Sequence, residues 1–405
     1  MPLEAMAISR RRLALILGLL AMVGPFAIDS IFPAFRALAS DLQVTDAAIQ
    51  QTISIYLLGY AAMSLLHGAL SDAFGRRPVI LAGLGIFLVS SVGCALAADL
   101  QQLLIFRFIQ GLCAGVGLIV GRAVIRDVFE RHMAEENPEN IELMFRRVYS
   151  SGFTQRPDPT VIGAFSGLEM ACWDILGKER NRPVWALIGG KMNARVRAYT
   201  YLYPLEGMKA AEFWVSPEMS AQSAAEAVSR GYTAVKFDPA GPYTIRGGHM
   251  PAMSDISRSV AFCKAIREAV GDRADLLFGT HGQFSTAGAI RMGQALEPYS
   301  PLWYEEPVPP DDLHSMTAVA RAVRIPVAAG ERLSTKAEFG AVLRAGAAEI
   351  LQPALGRAGG IWEMKKIAAM AEVHNAQMAP HLYAGPVEGA ANIHYAASLP
   401  NFLIL

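Results

Sequence analysis

Four apolar stretches, Leu13 to Phe35, Ala48 to Leu70, Val79 to Ala98 and Leu103 to Ile125, crowd the first 129 residues of this chain and have no counterpart in the 276 that follow. Each is about twenty residues long, the length a helix needs to cross roughly 30 Å of hydrocarbon. The charge distribution changes at the same place. The first 129 residues hold 9 of the 36 Lys+Arg and 7 of the 36 Asp+Glu, leaving 27 and 29 for the rest, so the charged share rises from 16 of 129 to 56 of 276. No Pro/Gly/Ser linker marks the change, which falls within Phe129 to Pro138. Two unrelated halves joined end to end are expected, divided as 1–129, a connecting region 130–194, and 195–405.

The totals exclude some classes. Basic and acidic residues cancel, which argues against a nucleic-acid partner. With 53% hydrophobic and 18% charged residues the chain is too apolar to be disordered. Cys94, Cys113, Cys172 and Cys263 are widely spaced and form no CxxC pair, so neither a disulfide framework nor a cysteine zinc site is indicated.

In the first half, Arg10 to Arg12, Arg76 with Arg77, and Arg126 with Arg131 flank alternate ends of the apolar stretches, while Asp41, Asp46 and Asp99 occupy the other loops. By the positive-inside rule this predicts four transmembrane helices with both ends on the cytoplasmic side. The expected location is the inner (cell) membrane, multi-pass, with the lipid bilayer as a partner and the second half in the cytoplasm. A signal peptide is the rival reading of the first stretch, but no small-residue cleavage site stands out.

The segment Gly68-Ala-Leu-Ser-Asp-Ala-Phe-Gly-Arg-Arg-Pro78 resembles the signature loop of the major facilitator superfamily, and Arg107-Phe-Ile-Gln-Gly-Leu-Cys-Ala-Gly-Val-Gly117 resembles the fourth-helix motif of its drug-exporting Bcr/CflA-type members. That resemblance implies a cytoplasmic charge network of Asp72, Arg76 and Arg77, and makes Asp29 and Arg107 proton-coupling or substrate candidates in a complete transporter. Snorkelling near helix ends is the plainer account of both. Such transporters place their site between two six-helix halves. Four helices of twelve predict no transport.

From Glu135 onward, short apolar runs alternate with amphipathic ones. Val196 to Leu202, Ala234 to Phe237, Leu276 to Gly279, Leu302 to Tyr304, Pro326 to Ala329, Ile350 to Gln352, Gln377 to Pro380 and Phe402 to Leu405 have strand character. The stretches between them, among them Ser257 to Val270, Lys336 to Ala345 and Ile361 to His374, have helical spacing. The predicted fold is therefore mixed: four transmembrane α-helices, then an α/β (β/α)8-type TIM barrel. In such a barrel chemistry gathers at the carboxyl ends of the strands. There the sequence sets Lys236 and Asp238, His281 and Gln283, Glu305 and Glu306, Glu331 and Arg332, and His381. These acids and bases suit a hard divalent cation with a proton moving beside it.

Gly167-Leu-Glu-Met-Ala-Cys-Trp-Asp-Ile-Leu-Gly-Lys178, Lys236-Phe-Asp-Pro239, His281-Gly-Gln283, Glu305-Glu-Pro307, Gly330-Glu-Arg332, Gly359-Gly360 and Pro380-His381 together resemble the mandelate racemase/muconate lactonizing branch of the enolase superfamily, and most closely its acid-sugar dehydratases. The resemblance implies Mg2+ on the carboxylate of a small sugar acid, a side-chain base that removes the adjacent C–H proton, and a conjugate acid that expels the β-hydroxyl as water. It casts Glu305 and Glu331 as metal ligands, His281 and His381 as the acid/base pair, and Lys236 as an electrostatic helper or alternative base. Related barrels assemble into dimers or octamers, so an oligomer is possible.

Blander roles stand beside these: a structural salt-bridge network for the two glutamates, core packing for the two histidines, and pairing of Lys236 with Asp238. The chain also departs from the family. Gly279 stands where the first of three metal carboxylates belongs, leaving Asp238 or His281 to substitute, and Ala354 replaces the strand-six Asp that orients the strand-seven His in the racemases. The usual capping domain is largely replaced by the apolar stretches, so the barrel is expected to lack a complete cap. A fused or truncated product without activity, or a drug/proton antiporter fragment, is the alternative to a membrane-tethered dehydratase.

Overall fold

The computed structural model describes residues 27, 31, 35–64, 66–74, 76–115, 125–150, 158–240 and 248–405. The chain divides into two compact units, Met1–Asp127 and Val128–Leu405.

In the first unit, helices span Phe35–Asp41, Asp46–Ser64, His67–Phe74, Arg76–Leu96 and Leu100–Ala114. Asp99 caps the last of these, its carboxylate accepting from the Gln102 amide at 2.8 Å. Two glycines let the helices at 46–64 and 100–114 approach closely: a Cβ on Gly111 would lie 2.1 Å from the Tyr56 carbonyl oxygen, and one on Gly59 2.5 Å from that of Phe108. Arg107 is buried between them. It donates to the Ala27 carbonyl at 3.0 Å and to Gln110 Oε1 at 2.6 Å, and stacks 4.5 Å from the centre of the Tyr56 ring.

The expected membrane half is corrected by these helices. Asp46–Ser64 opens with Asp46, Gln50, Gln51 and Thr52, so its apolar part is short. Leu100–Ala114 has 15 residues. At about 1.5 Å per residue it is too short for a hydrocarbon core of roughly 30 Å. Arg76–Leu96 spends its first turn on Arg76, Arg77 and Pro78. No helix among the described residues is long and apolar enough to cross a membrane. Four transmembrane helices, a multi-pass inner-membrane location and a lipid-bilayer partner are therefore not retained. Most of the first expected span, with Asp29 and Arg10 to Arg12, and the side chains of Asp72, Arg76 and Arg77, lie outside the described residues.

The second unit is built on a curled sheet of seven strands, all parallel and in chain order: β1 Thr200–Tyr201, β2 Ala234–Phe237, β3 Asp275–Gly279, β4 Trp303–Glu305, β5 Val327–Ala329, β6 Ile350–Leu351 and β7 Gln377–Met378. Helices connect successive strands, including Pro217–Ser229, Met253–Val270, Thr286–Leu296, Leu313–Ala322, Thr335–Ala345 and Gly360–Val373. The eighth expected strand, Phe402 to Leu405, is not a strand of the sheet. Phe402 makes an isolated bridge to Met378, and the Leu403 amide donates to the Met378 carbonyl. On its other side Leu405 exchanges two hydrogen bonds with Arg197 and Tyr199, each 3.0 Å.

Side chains in a strand alternate between faces, so residues two apart share one. Ala234, Leu277, Trp303, Ala328, Ile350, Ala379 and Ile404 form a buried cluster inside the curl. Trp303 is the bulkiest member, set among the three small alanines Ala234, Ala328 and Ala379. Two residues further along the chain from the first six stand Lys236, Gly279, Glu305, Gly330, Gln352 and His381. The same pleat that builds the core thus lifts a set of polar and glycine positions onto its upper rim.

Ahead of β1, the helices Ile141–Tyr149 and Pro159–Glu179 pack on the same unit. Glu169 is fully enclosed and its carboxylate accepts from the amides of Ile361 and Trp362, both at 2.8 Å, and from Trp173 Nε1 at 2.7 Å. It thereby caps the helix Gly360–Val373, satisfying donors that have no partner within the helix. Gly360 has φ +88°, and a Cβ there would lie 2.3 Å from Glu169 Oε2. The motifs around Gly167 and Gly359 thus meet as one structural joint. Burial pushes the Glu169 carboxyl up to about 7, against the opposing pull of its three donors.

Candidate active site

Glu305 ends β4 on the inward face, opposite Gly279 in the β3–β4 register. Its carboxylate is almost wholly buried and its two oxygens are separately engaged: Oε1 lies 2.6 Å from Lys236 Nζ and Oε2 accepts from Gln352 Nε2 at 2.9 Å. Burial alone would raise its pKa, but the ammonium and the two hydrogen bonds outweigh that and hold the carboxyl below its usual value. Lys236, also buried, is moved the other way. Burial opposes its charge, and Glu305 more than restores it, so the ammonium is retained. Lys236 therefore pairs with a residue 69 positions away rather than with its near neighbour Asp238.

His281 follows β3 in the left-handed backbone region, φ +50°, and Gly282 continues at φ +71°. That backbone conformation at 282 is one side chains rarely adopt, and a Cβ there would lie 3.2 Å from the Pro309 Cα and the Val308 carbonyl oxygen. Thr280 anchors the turn by donating its hydroxyl to the Glu305 and Glu306 carbonyls, both at 2.8 Å. The turn projects the imidazole toward Asp238, whose Oδ2 is 3.4 Å from His281 Nδ1. This contact is the main cause of a raised His281 pKa, with burial opposing and Glu331 and Glu305 adding to it.

Glu331 follows Gly330, whose φ of +138° and close approach to the Gln352 backbone demand glycine. Glu331 Oε2 lies 3.2 Å from His381 Nε2. His381 is held from the side of β6 by its amide, which donates to the Pro353 carbonyl at 3.1 Å. Burial lowers the His381 pKa, and Glu331 only partly offsets it. Glu331 thus occupies the neighbourhood of His381 for which Ala354 has no side chain to offer. Beside this group, Glu306 is fully buried and is met by Arg332 Nε at 2.9 Å and by Arg332 Nη2.

One donor atom from each of His281, Glu305 and Glu331 lies within 4.8 Å of the others, the single such cluster among the described residues. The two carboxylates of this group fit a hard divalent cation whose remaining positions are water, with the imidazole beside it. Of the six residues singled out in the sequence, Lys236, Glu305, Glu331, His281 and His381 converge through direct contacts or this cluster. Asp238 is outside the three-donor group; it contacts Tyr201 and His281. Two participants were not singled out. Gln352 and Tyr201 are neutral, and only their positions, two residues beyond Ile350 and Tyr199 on inward-facing strands, mark them.

Three family profiles match stretches of the chain, two of them overlapping at residues 113–135. The profile described as enolase C-terminal domain-like matches residues 219–405, and that of the mandelate racemase / muconate lactonizing enzyme N-terminal domain matches residues 113–189. A Major Facilitator Superfamily profile matches residues 15–135. The chain is 37% identical over 279 residues to a D-gluconate/D-galactonate dehydratase of Picrophilus torridus, covering 68% of each chain. It is 34% identical over 267 residues to a D-galactonate dehydratase of Klebsiella pneumoniae, covering 65% of each. It thus spans about two thirds of the length of these relatives. The crystal structure of a mandelate racemase/muconate lactonizing enzyme-like protein from Roseovarius sp. TM1035 is 79% identical, with a TM-score of 0.70 over 70% of this chain and 72% of that one. By sequence and by fold, this chain belongs to the mandelate racemase/muconate lactonizing enzyme family of the enolase superfamily.

Proposed function

We propose that the chain is a Mg2+-assisted dehydratase of a small sugar acid. The observation that carries this reading is the convergence of Glu305, Glu331 and His281 within 4.8 Å, with His381 3.2 Å from Glu331. The dehydratases of sugar acids among its relatives support the substrate class. Glu305 and Glu331 would hold the cation, which when bound supplies positive charge against the substrate carboxylate and so acidifies the adjacent C–H. The chain's own groups perform the proton movements.

His381 is the base. Its lowered pKa keeps the imidazole neutral near pH 7, ready to accept a proton, and Glu331 stabilises the imidazolium that results. His281 is the acid. Asp238 stabilises its protonated form, so it retains a proton to give to the departing β-hydroxyl. Lys236 is the electrostatic helper: its buried ammonium offsets charge accumulating beside Glu305.

The test is incubation of the full chain with D-galactonate, D-gluconate and D-xylonate in Mg2+, following 2-keto-3-deoxy acids with semicarbazide. Turnover that disappears in Glu305→Gln and in His381→Asn is expected. No 2-keto product from any aldonic acid, or turnover unaffected by Glu305→Gln, would overturn the assignment.

A further inference from the structure

Tyr201 ends β1 in register with Lys236, and its hydroxyl donates to Asp238 Oδ1. The other oxygen of the same carboxylate faces Nδ1 of His281 at 3.4 Å. Three side chains from the ends of three successive strands, β1, β2 and β3, therefore form one chain of contacts that ends at an imidazole. We propose that Tyr201 is a positioning residue that, through Asp238, fixes the tautomer and ring plane of His281 and so directs its second ring nitrogen toward the site of Glu305 and Glu331.

The need for such a device follows from local structure. His281 lies on a turn with positive φ and its side chain is one-third exposed, so packing alone does not set its orientation. The carboxylate torsion of an aspartate is broad and intrinsically soft. A donor on Oδ1 removes that freedom and presents Oδ2 to the imidazole in a fixed direction. The phenol is itself held: the Tyr201 ring lies 5.6 Å from that of Tyr203, which meets Trp214 edge-on at 6.5 Å. A carboxylate on one ring nitrogen is the usual means of choosing a histidine tautomer. Here the carboxylate has a support of its own, and Tyr201 does not touch the reacting atoms.

This inference rests on the proposed chemistry of His281, and the experiment separates the two. In the full chain labelled with 15N-histidine and freed of metal by EDTA, long-range 1H–15N spectra report the tautomer of each imidazole, with His281→Gln identifying the signals of His281. At alkaline pH, where the ring is neutral, a single tautomer protonated on Nδ1 is expected in the parent, the proton given to the β-hydroxyl being the one that Nε2 carries in the imidazolium. Tyr201→Phe should move both ring nitrogens toward tautomer-averaged shifts and lower kcat roughly tenfold with KM within about twofold. In an Asp238→Asn background, Tyr201→Phe should add nothing to either readout. Shifts that stay in place in Tyr201→Phe, or effects that simply add to those of Asp238→Asn, would overturn it. Shifts that move in a chain with no turnover would uphold the positioning and defeat only the dehydratase reading.

Discussion

The ammonium of Lys236 and the carboxylate of Glu305 meet at 2.6 Å with 5% and 1% of their side chains accessible to solvent. Neither charge has enough water nearby to replace the other. Removing one partner of a buried pair leaves the second uncompensated and costs about 3–5 kcal/mol, whereas replacing both is far less costly. Lys236→Met is expected to lower the thermal midpoint of the second unit by roughly 10 °C. Lys236→Met/Glu305→Gln should recover much of that loss. Differential scanning calorimetry of both variants checks this, and equal losses would show that the pair is not the source of the effect.

Position 279 offers a gain rather than a loss. A Cβ built on Gly279 would lie 3.4 Å from Lys236 Cε, 3.5 Å from Asp238 Cβ and 3.9 Å from His281 Cε1, all ordinary contacts. The Cβ that Gly279→Asp introduces therefore meets only ordinary contacts. The substitution would add a third carboxylate opposite Glu305 in the β3–β4 register. The expected result is at least a tenfold gain in Mn2+ affinity by titration calorimetry, because a hard cation gains an anionic ligand. Without metal the variant should be less stable than the parent, since like charges then crowd one buried site.

The legibility of the site in the sequence tracks charge. Lys236, Glu305, Glu331, His281 and His381 interrupt apolar runs at strand ends, where a titratable residue has few structural reasons to be. Gln352 and Tyr201 occupy equivalent positions but carry no charge, and only the two-residue step from Ile350 and Tyr199 distinguishes them. The partner of Lys236 was hidden for a different reason. Asp238 is two residues away, but successive residues on one face of a strand are separated by about 6.6 Å, and the register across β2, β3 and β4 instead brings in Glu305. In the first 129 residues, apolar length alone did not distinguish a membrane span from a helix that opens with the polar Asp46, Gln50 and Gln51 or one of 15 residues. The cap of the helix at Gly360 by Glu169, nearly two hundred residues earlier, has no local signal at all.

That last joint makes the stability of the chain depend on pH in a predictable direction. The Glu169 carboxyl has an ordinary value of 4.5 and is pushed up by burial to about 7 in the folded state. The folded form thus holds its proton more tightly than the unfolded one. Its contribution is fully present below about pH 4.5 and is lost as pH rises through about 7, amounting to on the order of 3 kcal/mol. Thermal midpoints of the second unit measured from pH 5 to 8 should decline across that window relative to Glu169→Gln, which cannot titrate. Glu169→Gln should be the less stable protein at pH 5, because its amide presents a donor where the Ile361 and Trp362 amides and Trp173 Nε1 all need acceptors. Gly360→Ala should lose stability across the whole range, since its Cβ would lie 2.3 Å from the Glu169 carboxylate and the backbone there is left-handed. A difference between parent and Glu169→Gln that stays constant from pH 5 to 8 would mean that the folded chain does not hold this proton more tightly than the unfolded one.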